Sequence, residues 1–189
     1  MKNLRWLIPA VALAAVLGNG CIITSAQVLA HFDLTSPVQI RPPATPMFVE
    51  VVDLNTVSDY SKNKDKLKGL SDIAVVGTFT NNAPSPAGSI EIWIMPGISS
   101  LTSSSSPALA KAAGAVQLWG PDGLDVGTST KTVNWNDSAK LFNPAGKQVL
   151  IDAMKGAGVF TVFIFPTGAA GNSIDIVNGS IILVIAAGL

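Results

Sequence analysis

The chain of 189 residues holds one cysteine and one histidine, and only 13% of its residues are charged. A lone cysteine cannot close an intramolecular disulfide, so no covalent staple supports the fold. One histidine means that any Ser-His-Asp, Cys-His or histidine-rich zinc arrangement has to pass through His31. Basic and acidic residues balance at twelve each. No basic run interleaved with aromatics occurs, so the footprint needed to hold a phosphate backbone is missing and nucleic acid is not an expected partner. Phosphate loops fail in detail: Gly146-Lys147 is followed by Gln148 where a hydroxyl residue is needed, and Gly156 and Gly158 lack the third glycine of a dinucleotide fingerprint. What the sequence has in abundance is apolar side chain, 48% of the total. A single domain of this length buries roughly 70% of its unfolded surface, enough for an ordinary core.

The first residues have their own character. Lys2 and Arg5 precede an apolar run from Trp6 to Leu17, followed by Gly18-Asn19-Gly20-Cys21. A basic start, a short apolar run and small residues form the tripartite pattern of an export signal, and the run is too short for a membrane-spanning helix of about twenty residues. Export is therefore expected. A cysteine used once and placed at the signal boundary, in Leu17-Gly18-Asn19-Gly20-Cys21, resembles the lipid-accepting cysteine of bacterial lipoproteins, with Gly18 standing where that family usually has leucine. The resemblance implies acylation of Cys21, which becomes the first residue of the mature protein, and an address at the cell envelope, the outer membrane in particular. The alternative is an ordinary signal-peptidase site with Thr24 and Ala26 before a cut at Gln27; Cys21 then leaves with the leader. On the lipoprotein reading, residues 1–20 are the signal peptide, residues 21–36 the lipid-anchored segment and first strand, and residues 37–189 the remainder of one domain.

Past the leader, period-two alternation dominates. Val28, Ala30, Phe32 and Leu34 alternate with Gln27, Leu29, His31 and Asp33, and Ile90, Ile92 and Ile94 alternate with Glu91, Trp93 and Met95. Further strands are expected over residues 47–52, 73–80, 116–119, 131–135, 159–165, 173–177 and 180–186. Asn178-Gly179 between two apolar runs is the hairpin signal of a type I′ turn. Residues 159–165 and 181–185 are almost continuously apolar, which predicts central strands with a cover on the second face. Residues 147–157, with Val149, Leu150, Ala153 and Met154 on one helical face, could supply that cover. A second helix is expected over residues 57–68, capped by Asn55 or Thr56, closed by Gly69 and carrying Lys62, Lys64, Lys66 and Lys68. A short alanine-rich helix is expected near residues 107–113. The fold class is mainly β: a two-sheet antiparallel β-sandwich of about seven to nine strands with two or three short helices. The pattern is similar to that of small envelope lipoproteins of unassigned role.

Candidate chemistry is sparse. His31 and Asp33 lie two apart on a strand and share a face, but no nucleophile elbow accompanies them. Only Glu50 and Glu91 supply glutamate beyond the leader. Glu91-Ile92-Trp93-Ile94-Met95 is similar in outline to the catalytic strand of laminarinase-like glycoside hydrolases, yet Trp93 stands in place of the aspartate and the second glutamate is missing. No catalytic residue is assigned. Trp93, with Glu91 beside it, is the candidate contact for a ligand or partner, because an exposed tryptophan can stack on a sugar or anchor a protein interface. Trp135 shares a face with Val133 and reads as core. Asp53 and Asn55, and Asp122 and Asp125, place oxygen atoms in turns where calcium could bind, although neither pair has full EF-hand spacing. Otherwise no metal or cofactor is expected. The function expected is that of a non-catalytic lipoprotein that meets the membrane through Cys21 and binds a protein or glycan. The alternatives are a carbohydrate-binding module and an envelope hydrolase.

Overall fold

In the strand Gly88–Pro96, Ile90, Ile92 and Ile94 are fully buried while Glu91, Trp93 and Met95 are half-buried, so the alternation read in the sequence separates an inner from an outer face. A computed structural model describes residues 25–34, 37–82, 88–120, 122–127, 129–167 and 173–188. Its strands are β1 (Ser25–Asp33), β2 (Val38–Ile40), β3 (Phe48–Asp53), β4 (Leu67–Asn81), β5 (Gly88–Pro96), β6 (Val116–Gln117), β7 (Leu124–Gly127), β8 (Thr130–Val133), β9 (Val159–Thr167) and β10 (Ile174–Gly188). Its α-helices are α1 (Ser58–Asn63), α2 (Pro107–Ala112), α3 (Trp135–Leu141) and α4 (Pro144–Lys155), with 3-10 turns at Leu54–Thr56 and Lys64–Lys66.

One antiparallel sheet has the order β1-β10-β4-β8, with β2 also on β10; the other has the order β3-β9-β5-β6, with β7 also on β5. Their inner faces share one core. Val28, Ala30, Ile73, Val75, Phe79, Ile181, Leu183 and Ile185 come from the first sheet, and Val52, Ile90, Ile92, Ile94, Phe160, Val162 and Ile164 from the second. The fold is the two-sheet antiparallel β-sandwich expected from the alternation, with ten strands and four α-helices among the described residues.

Four expectations are corrected. Asn178-Gly179 is not a hairpin turn. The segments on either side are one strand, β10, and register against β4 jumps from Val177↔Thr78 to Ser180↔Val76. Asn178 does take the positive φ of 53° that the pair favours, and it spends that conformation on a β-bulge. The strand at residues 131–135 stops at Val133, and Trp135 opens α3 because the Asn134 side chain accepts a hydrogen bond from the Asp137 N–H as its cap. The helix expected over residues 57–68 is a six-residue α-helix followed by a 3-10 turn, and Gly69 lies inside β4. The cap at the start of that region is Asp53, whose side chain accepts from Asn55 N.

The fourth correction concerns what covers the apolar strands. Leu150, Ala153 and Met154 of α4 join the shared core. The outer face of β9 is covered from elsewhere: Phe163 and Phe165 pack with Met47, Ala110 of α2 and Ala115. Thr161, also outward, is satisfied in place, donating to Gly97 O (2.8 Å) and accepting from Ser99 N (2.9 Å). The third helix closes an edge. Beyond β8 the free side of β4 continues, and there the Val75 N–H donates to Ser138 Oγ of α3 at 2.7 Å, so that a backbone group which would invite a foreign strand is occupied.

Candidate functional site

Residues directly opposite on antiparallel strands share a face, so the register lays out the outer surface of the first sheet. One row runs Leu29, Val184, Asp72, and the next runs His31, Ile182, Ala74. Leu29 is 62% exposed, and Ile182 and Val184 are half-buried. The Trp135 indole N–H donates to Asp72 Oδ2 at 2.8 Å and borders this apolar strip. Trp135 is thus half-buried against the outer surface and does not belong to the core with Val133. Sequence reading placed Leu29 outward but did not single it out. The signal was the near-continuous apolar run of β10, whose outward members have strands beside them.

The row beyond His31 holds Asp33 and Ser180. Asp33 Oδ1 accepts from Ser180 Oγ at 2.7 Å and lies 3.1 Å from His31 Nε2. The fold therefore brings a serine to the His31–Asp33 pair, but in the order Ser-Asp-His. A nucleophilic serine needs an imidazole at its hydroxyl and a carboxylate behind that imidazole. Here the carboxylate stands between the two, and no serine hydroxyl bonds His31 among the described residues.

Trp93 and Glu91 are brought together with Lys111 of α2. The Trp93 Nε1–H donates to Glu91 Oε2 at 2.6 Å, and Lys111 Nζ donates to the same oxygen at 3.2 Å. The Trp93 ring stacks on Phe165 with centroids 6.1 Å apart, while Lys111 Nζ sits 4.5 Å from the Trp93 centroid. Lys111 Nζ is also 5.3 Å from the Phe165 centroid, so cation and aromatic neighbour lie on one side of a half-buried Trp93 whose N–H is already spent on Glu91.

The two calcium candidates stand at opposite ends of β9: Asp53 pairs with Val159, whereas Asp125 pairs with Ser89, itself opposite Thr167. Asn55 donates to Asp53 Oδ1 from both its backbone N (2.9 Å) and its Nδ2 (2.7 Å). Asp125 Oδ1 accepts from Gly127 N at 2.8 Å. Asp122 is exposed. The Asp53 and Asp125 carboxylates are each closing their own turn. Among the described residues no group of three or more His, Cys, Asp or Glu side chains is placed to hold a metal. Cys21 lies outside the described residues.

Glu50 was counted in the sequence without a role. On β3 it sits between Phe48 and Val52, which pack on the shared core, and burial pushes its carboxyl above its ordinary pKa. A folded-state pKa above the unfolded one means that the folded protein holds the proton more tightly. The charged carboxylate then costs stability as pH rises through the folded pKa, and that cost vanishes below the unfolded value of about 4.3. Glu50→Gln is expected to raise the melting temperature at pH 7 by at most a few degrees, and melting curves of both proteins should coincide at about pH 4. An equal gain at both pH values would refute the assignment.

No protein-family model matches the chain, and no curated protein matches it. Among solved structures it is similar to a chain from Desmodium yellow mottle tymovirus, at 12% identity and a TM-score of 0.29, with 86% of this chain and 88% of that one covered. It is also similar to a chain from infectious bursal disease virus strain Gt, at 11% identity and a TM-score of 0.25; 87% of this chain and 31% of that one are covered. At these scores neither neighbour defines a family or a function. The class that the coordinates define is the two-sheet antiparallel β-sandwich.

Proposed function

We propose that the chain is an exported lipoprotein, held at the cell envelope and most simply at the outer membrane by acylated Cys21, whose sandwich is a non-catalytic binding or structural module. The observation that carries the non-catalytic part is the Ser180–Asp33–His31 chain. It is the one place where the described residues join a hydroxyl, a carboxylate and the imidazole, and its order leaves the serine without the imidazole at its hydroxyl. The other polar constellations tie the fold together: Glu91 holds Trp93 and Lys111, and Asp53 holds Asn55. Trp93 is half-buried and its N–H is bonded to Glu91, which counts against a carbohydrate module built on it. The anchor part rests on the sequence pattern at residues 1–21.

Mass spectrometry of the N-terminus from membrane fractions of the native host tests the anchor. The expected product starts at Cys21 and carries acyl chains. An unmodified chain starting at Gln27 in the soluble fraction would overturn it.

A further inference from the structure

The lysine-rich segment and the start of β1 lie at the same end of the sandwich. Ser25 pairs with Gly188, and Ala187 pairs with Leu67, so the first residue of β1, the end of β10 and the beginning of β4 are neighbours. Lys64–Lys66 is the turn that feeds β4. The Lys68 side chain runs so close to Gly188 that a Cβ there would meet its Cε at 2.6 Å. Two bonds bring the end of α4 to the same place: Tyr60 Oη donates to Met154 O at 2.5 Å, and Lys64 Nζ donates to Ala157 O at 3.1 Å. Lys155 therefore joins the group, and Lys62, Lys66, Lys68 and Lys155 are all exposed.

Charge is distributed unevenly along the sandwich. At this end five lysines, counting Lys64, meet Asp53, Asp59 and Asp65; Asp152, one turn back on α4, is tied to Gln148 Nε2 at 2.8 Å. Toward the opposite end Asp33, Asp122, Asp125 and Asp175 meet Arg41 and Lys131, with Arg41 paired to Asp175. The tether is short. Cys21 precedes Ser25 by four residues, a reach of at most about 14 Å at roughly 3.3–3.6 Å per residue.

The geometry points to the Lys62, Lys66, Lys68 and Lys155 end as the face that rests on anionic phospholipid headgroups, so that the acyl chains hold the protein at the membrane and the basic patch sets its orientation there. This rests on Cys21 being the anchor. The acyl chains on Cys21 supply the hold, and each basic residue near an anionic leaflet adds attraction, which selects the end that faces it. A tether of this length lets the basic end come within one Debye length, about 8–10 Å, of the surface, where an anionic leaflet attracts it. The acidic end then faces away, and the strip of Leu29, Ile182 and Val184 stands on the flank.

Among the described residues the buried core runs from Val28 to Ala187, so a chain beginning at Cys21 retains all of it. Such a chain, its Cys21 thiol coupled to a maleimide lipid, is to be placed on vesicles of phosphatidylcholine alone or mixed with phosphatidylglycerol. The rate of acetylation of each lysine is then read by mass spectrometry. Lys62, Lys66, Lys68 and Lys155 should react several-fold more slowly on the anionic vesicles, with Lys131 unchanged. The protection should disappear in high salt and in the K62E/K66E/K68E variant, which spares the Lys64 contact. Equal rates on the two vesicle types, or protection centred on Lys131, would overturn the proposal. Chemical coupling supplies the anchor, so a flat profile refutes the lysine face while leaving acylation in cells to the N-terminal measurement. A Gln27 start refutes the anchor and leaves the vesicle result standing.

Discussion

Gly146→Ala is expected to destabilise the domain by about 3 kcal/mol, the upper range for overpacking, and to lower the melting temperature by roughly 6–12 °C. Gly146 lies in the first turn of α4 and is buried. A Cβ built on it would run into the backbone of the adjoining segment, meeting Gln117 O and coming within 2.7 Å of Leu118 Cα. Neither is the end of a flexible side chain. The helix would have to lift, and α4 carries Leu150, Ala153 and Met154 into the shared core. Helix propensity alone gives the opposite sign, because alanine is favoured over glycine by roughly 1 kcal/mol in a helix interior. A rise in melting temperature would therefore show that the helix does not approach the segment so closely. Gly69→Ala is the control: a Cβ there meets nothing within 4 Å, and its melting temperature should stay within a degree or two of the parent.

Gly146 also shows where sequence reading stops. Beside Lys147 and Gln148 it was tested against a phosphate-loop pattern and failed, and nothing local indicates that it is kept small by residues some thirty positions earlier. Alternation was legible because it is a one-strand property. The isoleucines of β5, and Val28 and Ala30 of β1, were assigned to the inner face and lie there. Asn178-Gly179 was legible as a site of positive φ, but a hairpin and a bulge both use that conformation. Only the partner strand decides between them, and β4 runs past the bulge on both sides. At Trp135 two signals compete: alternation from Lys131 continues the strand, while Asn134 with Asp137 three residues on caps a helix. The cap prevails, and it places Ser138 against the free edge of β4. The His31–Asp33 pair could be read from spacing. Ser180 could not, since it joins them only through the register of β1 on β10.

The three tryptophans beyond the leader are expected to differ sharply in what their loss costs, and Trp119, which nothing in the local pattern singles out, should dominate. Trp119 is fully buried in the shared core, with Phe79 at 5.8 Å and Phe142 at 6.5 Å between ring centroids. Its backbone N–H donates to Ile92 O, and its isolated bridge to Phe142 ties the segment after β6 to the link between α3 and α4. Truncating a buried tryptophan to alanine typically costs about 3–5 kcal/mol, the sum of lost burial and a cavity that the backbone cannot close. Trp119→Ala should show that loss in urea denaturation as a lower midpoint with the slope unchanged. Trp93→Ala and Trp135→Ala remove half-buried rings that each make one hydrogen bond to a carboxylate, and each should lose clearly less. Trp119→Phe separates the two parts of the effect. The Trp119 Nε1–H is buried without a hydrogen-bond partner among the described residues, and an unsatisfied buried donor costs about 1–3 kcal/mol. Phenylalanine loses ring volume but sheds that donor, so its loss should be less than half that of alanine. A Phe variant as unstable as the Ala variant would mean that the indole N–H is satisfied in solution, by a buried water or a shifted neighbour.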